Sequence, residues 1–134
     1  MEKLPVWKKE FEVGDFEIDA QHKIFLKIII KIKKAYQIDF SEEYNILLLK
    51  ELYKYADFHF ISEENRMTLF KYPDLESHMQ EHKNLLSELS NQIGFINIEH
   101  LDMNKLIDFL YNWFVNHTTS LDLKFGEYLN EIST

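Results

Sequence analysis

The chain has 134 residues, 46% of them hydrophobic and 28% charged, with a formal charge of −8 at neutral pH. That length suits a single domain over residues 1–134, the composition is too apolar for disorder, and the excess of acid argues against a nucleic-acid partner, which needs clustered Lys and Arg. Cysteine is absent, which excludes disulfides, thiolate zinc sites and iron–sulfur clusters, so any metal must be held by nitrogen and oxygen.

From the N-terminus, residues 1–17 are aromatic and mixed (Trp7, Phe11, Phe16) and read as an irregular arm lying over a core. A first helix is predicted from Ile18 to Gln37, with Phe25, Ile28, Ile29, Ile32 and Tyr36 at helical spacing. Its lysines between Lys23 and Lys34 form a solvated face. Asp39-Phe40-Ser41 reads as a turn, with Ser41 capping a second helix that opens on Glu42 and Glu43. This helix carries Leu48, Leu52, Ala56, His59, Glu63 and Met67 on one stripe. Tyr72-Pro73-Asp74 breaks the chain, because proline disfavours helix in the residue before it and suits a helix start. A third helix follows with Leu75, His78, His82, Leu85, Leu89 and Ile93 on one face, and Gly94 is expected to cap it. A fourth begins near Asp102 and carries Leu106, Leu110, Trp113 and His117. After Thr118-Thr119-Ser120 comes a last apolar piece, Leu121 to Ile132. The expected fold is all-α: an antiparallel up-down four-helix bundle with an irregular N-terminal arm and a short C-terminal helical extension.

No apolar run approaches the ~20 residues that span a bilayer. The N-terminus lacks the basic and apolar regions of a secretory signal, so the cytoplasm is the expected location, no membrane partner is expected, and the sequon at Asn116 carries no meaning.

A bundle helix points aliphatic side chains inward and leaves His and Glu in water. Here the inward stripes contain His59 and Glu63, His78 and His82, and His117, while His22 is in phase with Phe25, Ile29 and Ile32. Only His100 falls in an evident loop. One histidine on a core face is more often a satisfied core residue than a ligand. Five from four helices, with a carboxylate, are another matter. Unpaired, each group would cost about one to several kcal/mol, against a total stability of roughly 5–15 kcal/mol. A metal cluster satisfies them together.

The pairs His59/Glu63 and His78/His82 are four residues apart, one helical turn on the same face. His117 and Asp122 are five apart, about 140° out of phase on a regular helix, so both reach one cluster only if the helix kinks, bulges or ends at Thr118-Thr119-Ser120. Imidazole and carboxylate without thiolate suit iron, zinc, copper or nickel. Seven side chains exceed what one ion accepts. Two ions bridged by Glu63 and Asp122, with five histidines split three and two and one solvent bridge, leave a single vacant position, as a binder of a small diatomic needs.

With Trp7, Val13-Gly14, Asp19-x-Gln21-His22, His59-Phe60-x-x-Glu63-Glu64, Met67, His78-x-x-x-His82 and Trp113-x-x-x-His117 with Asp122, the chain resembles the bacterial haemerythrins over nearly its whole length. The resemblance implies reversible binding of molecular oxygen, not enzymatic turnover. It assigns His78, His82 and His117 to one iron, His22 and His59 to the other, and Glu63 and Asp122 to both. The two irons would be ferrous without oxygen and ferric with it, joined by a hydroxo or oxo bridge, and oxygen would enter on the iron held by His22 and His59. Because electrons and proton stay inside, net charge is conserved in the low-dielectric core, which favours reversal. Family members usually carry an aliphatic residue after the last ligand histidine; here it is Thr118, which with Phe60, Trp113 and Phe114 should line the oxygen pocket.

Other readings fit fewer residues. His78-Met79-Gln80-Glu81-His82 spells the pattern of inverted zinc peptidases, with Glu81 as base, but leaves His22, His59 and His117 unexplained. Ferritin-like oxidases use Glu-x-x-His pairs, which lack suitable partners here. The alternative function is gas or redox sensing, which would need a separate protein partner, or peroxide or nitric oxide handling at the same centre.

Overall fold

The computed structural model describes residues 3–39, 41–96 and 102–133. Helix α1 (Phe16–Gln37) starts where the Asp15 carboxylate accepts the Ile18 N–H at 3.1 Å. That is two residues before the predicted start, because the cap is Asp15. Phe16 therefore lies in the first helical turn and is 91% exposed, whereas Trp7 and Phe11 do lie over the core as expected: Phe11 is fully buried and meets Phe114 edge-on at 5.5 Å. Ser41 caps α2 (Glu42–Leu69) through the Tyr44 N–H, and Asp102 caps α4 (Met103–His117) through Asn104 and Lys105.

The break before Pro73 is a left-handed helix cap. Lys71 takes φ +56°, the Tyr72 N–H returns to the Met67 carbonyl and the Lys71 N–H to Thr68. The Tyr128 hydroxyl donates to the Phe70 and Lys71 carbonyls, tying this turn to the C-terminal helix. Helix α3 spans Leu75–Ile96, so it runs through Gly94 and does not end there. Gly94 keeps a negative φ, and a helix tolerates such a glycine at about 1 kcal/mol. Tyr36 is a second departure: predicted on the inward stripe, it is 36% exposed, because Ala35 takes the inward position in the last turn of α1 and leaves Tyr36 at the edge of the stripe. Phe40 and His100 lie outside the described residues.

Short turns after α1 and α2 force antiparallel neighbours, and α1 packs on α2 and α4, with α2 on α3. After α4 come a π-helical segment, Thr118–Asp122, and α5 (Leu123–Ile132), the C-terminal extension. Among the described residues no helix is long and apolar enough to cross a membrane.

The buried apolar side chains form two clusters. The larger includes Phe25, Ile29, Leu49, Leu52, Leu89 and Phe114, and the smaller Val13, Ile18, Met67, Tyr72 and Phe125. On α2, Phe60 belongs to the first and Met67 to the second, with Glu63 between them, so a polar layer is sandwiched between two dry ones.

The arm closes over the smaller cluster. Val13 and Gly14 donate their N–H groups to the Asp19 carboxylate at 2.8 and 3.2 Å, with Gly14 at φ +92°. Gly126 of α5 sits so close beneath that a Cβ there would lie 2.0 Å from the Val13 carbonyl oxygen. Gly126→Ala is expected to push the arm off α5 and cost about 1–3 kcal/mol, the usual penalty for overpacking. A denaturant midpoint equal to that of the parent would refute this.

Candidate metal centre

The sequence places the seven predicted ligands on every helix of the bundle, and folding brings all of them into the polar layer. His22 comes from α1, His59 and Glu63 from α2, His78 and His82 from α3, His117 from the last turn of α4, and Asp122 from the π segment. Each is 5% exposed or less.

The π segment solves the phase problem between His117 and Asp122. One extra residue in the turn brings positions five apart onto one face, and His117 Nε2 lies 3.1 Å from Asp122 Oδ1. Widening the turn disturbs the regular ladder of backbone hydrogen bonds. The hydroxyls of Thr119 and Ser120 donate to the Val115 and Asn116 carbonyls at 2.7 and 2.6 Å. The threonine-serine stretch thus supports the bulge chemically.

The carboxylates divide the histidines into two sets. Glu63 Oε1 faces His78 and His82 (3.0 and 3.3 Å), while Oε2 faces His22 and His59 (3.7 and 3.5 Å). Asp122 Oδ1 faces His78 and His117 (2.7 and 3.1 Å), and Oδ2 faces His22 at 3.0 Å. Two groups of donor atoms result, each within 4.8 Å: Glu63, His78, His82, His117 and Asp122, and His22, His59, Glu63 and Asp122. Both carboxylates belong to both groups.

Despite these short distances, both Glu63 oxygens, Asp122 Oδ2, His82 Nε2 and His117 Nε2 are buried without an aligned hydrogen-bond partner. Orphaned donors and acceptors converging on two points are what metal ions would satisfy. The donor set, imidazole nitrogen and carboxylate oxygen, fits a buried pair of iron ions.

The charges are strongly coupled. Burial would lower His22 and His78, but Asp122 and Glu63 outweigh it and lift them to about 10 and about 9. Burial prevails at His59, which falls to about 4. Burial would raise both acids, yet the surrounding imidazoles hold Glu63 and Asp122 well below the usual carboxylate range. The layer therefore keeps two anions in the dry interior and needs positive charge beside them.

Two outer partners orient the rings. His59 Nδ1 donates to Gln21 Oε1 at 2.7 Å, and Gln21 is itself fixed by Ser62 and by the Tyr55 hydroxyl on its carbonyl. His82 Nδ1 donates to the Glu64 carboxylate at 2.7 Å. Neither role is among the expectations from sequence. The signal for them is adjacency, since Gln21 precedes His22 and Glu64 follows Glu63.

Of the four residues expected to line a pocket, Phe60, Trp113 and Phe114 lie on the larger-cluster side. Phe60 stacks on His82 (3.9 Å, 3° between planes), Trp113 on His117 (4.4 Å, 13°), and Phe114 meets His22 edge-on at 6.0 Å. Phe60, Phe114 and Thr118 are buried and Trp113 half-buried. Phe25, not named for this role from sequence, touches Phe60, Trp113, Phe114 and His59. Glu81 is exposed and outside both donor groups, which removes the peptidase reading.

A family model, Hemerythrin HHE cation binding domain, matches residues 13–129. Bacteriohemerythrin of Clostridium acetobutylicum is 28% identical over 130 residues, covering 90% of this chain and 97% of that protein. Myohemerythrin-1 of Phascolopsis gouldii is 30% identical over 120 residues, with 90% of each chain covered. Among solved structures, a haemerythrin mutant crystal structure matches with a TM-score of 0.83 at 25% identity, covering 92% of this chain and 95% of that one.

Proposed function

We propose, since this chain belongs to the haemerythrin family, that residues 1–134 form one domain that binds molecular oxygen reversibly at a pair of iron ions. His78, His82 and His117 would hold one ion and His22 and His59 the other, with Glu63 and Asp122 shared. The observation that carries this reading is the division of each carboxylate, one oxygen toward each histidine set. Iron held by these residues would supply the reversible electron donation that oxygen binding needs.

The chain's own residues set the conditions. Stacked Phe60 and Trp113 hold the His82 and His117 rings in place, and with Phe25 and Phe114 they keep water from one side of the polar layer. Tyr72 and Phe125 close the other side, with Tyr72 against His78 at 6.4 Å. Exclusion of water protects a reversible binder from side reactions. Five imidazoles and only two carboxylates also bring little negative charge, which disfavours highly oxidised iron and favours carriage over oxygen activation.

The test is an anaerobic optical titration with iron analysis. Two irons per chain and a colour that appears with oxygen and fades on its removal are expected. Catalytic consumption of peroxide in place of stoichiometric uptake would overturn the reading. Thr118 is buried directly after His117, which brings a hydroxyl into the interior next to a site histidine. Thr118→Ile is expected to slow spontaneous loss of the oxygen-binding form to the oxidised form. Equal or faster loss in the variant, followed spectroscopically, would contradict a role for the hydroxyl.

A further inference from the structure

Among the described residues, two of the five site histidines have a side-chain partner on Nδ1, one in each set, and the partners differ in charge. In the three-histidine set His82 donates to a carboxylate, Glu64; in the two-histidine set His59 donates to an amide, Gln21, at the same 2.7 Å. His22 Nδ1 and His117 Nδ1 have no partner among the described residues. Gln21 turns Oε1 to His59 and Nε2 to Ser62, and the Tyr55 hydroxyl holds the Gln21 main-chain carbonyl. Both partners fix the tautomer that turns Nε2 toward the centre. Only Glu64 adds negative charge to the ring behind it, through a charge-assisted bond that raises the basicity of the opposite nitrogen.

We propose that Glu64 and Gln21 are positioning residues that make the two halves of the centre unequal, so that the half built from His78, His82 and His117 takes its metal ion first and more tightly. Resting on the pair-of-ions reading above, this adds an order and a cause. The donor count points the same way, since that half has five donor residues and the other four.

Zinc is the probe, because it has no redox chemistry to complicate the titration. The metal-stripped full chain is titrated against a competing chelator, giving two stepwise affinities. Glu64→Gln keeps a hydrogen-bond acceptor and removes the charge. It is expected to weaken the first step by about 10- to 100-fold, the usual outer-partner effect, and to leave the second unmoved. Gln21→Glu is expected to strengthen the second step and leave the first. A merely structural role predicts that Glu64→Gln behaves as the parent, since its amide still accepts from His82. Uptake of a single zinc would overturn the pair-of-ions reading and this proposal with it. Two zinc ions with an unmoved gap in both variants, or with both steps shifted alike, would overturn this proposal alone.

Discussion

A Glu63→Gln chain is expected to load no more than one iron where the parent loads two. Glu63 is 1% exposed, and its two oxygens lie 3.0–3.7 Å from four different histidines, so it is, with Asp122, one of two residues through which both donor groups meet. The amide preserves shape but supplies one oxygen in place of two and no charge. Outer partners alone change metal affinity about 10- to 100-fold, so loss of a shared ligand, with its anion, exceeds that. Iron analysis after anaerobic reconstitution reads the effect, and circular dichroism verifies that the helices persist. Glu81→Gln is the control: Glu81 is exposed and belongs to neither group, and that chain should load as the parent does. Full loading of Glu63→Gln would show that the carboxylate does not hold the two ions together.

Removing the metal should produce the largest change in stability. Without ions, at least five buried donor or acceptor atoms of Glu63, His82, His117 and Asp122 have no aligned partner. Each unsatisfied group costs about 1–3 kcal/mol, a large fraction of the roughly 5–15 kcal/mol that holds a domain together. Ions that bind only the folded chain also add about 4 kcal/mol per site when free metal exceeds the dissociation constant a thousandfold. For a chain of this size that corresponds to a rise in melting temperature on the order of 10 °C or more. Calorimetry before and after stripping with a chelator measures it. Equal melting temperatures would mean that the polar layer is satisfied some other way.

The N-terminal arm and α5 contribute to the same layer from outside. Asp19 ties the arm to α1, Gly126 lets α5 approach Val13, and Phe125 packs in the smaller cluster against Tyr72, which meets His78. Arg66 links α2 to Asp15 and Glu17 at the start of α1, and His22, one to two turns further on, lies against His59 and Glu63. These contacts make the geometry of the centre a property of the whole fold. Gly126→Ala, about one turn beyond Asp122 on α5, therefore tests the closure of the site as well as packing.

Much of the bundle was legible in the sequence because helical periodicity and capping are local. Ser41, Asp102 and Pro73 announce boundaries through hydrogen bonds and backbone restrictions that involve only near neighbours. The donor set was legible for a related reason: His59, Glu63, His78 and His82 fall on stripes that must face inward, and polar groups there demand a partner. Gly94 misled because cap and interior glycines look alike until the backbone angle is known, and Tyr36 because a stripe does not say which of two adjacent residues, here Ala35 or Tyr36, takes the inward position. Tertiary structure alone decided which oxygen of Glu63 faces which histidines, that the kink after His117 is a π segment braced by Thr119 and Ser120, and that Gln21 and Glu64 stand behind His59 and His82. Periodicity fixes the face of a helix to within a turn, about 5 Å, whereas a hydrogen bond or a ligand atom is placed to a fraction of an ångström. Only packed neighbours supply that last precision.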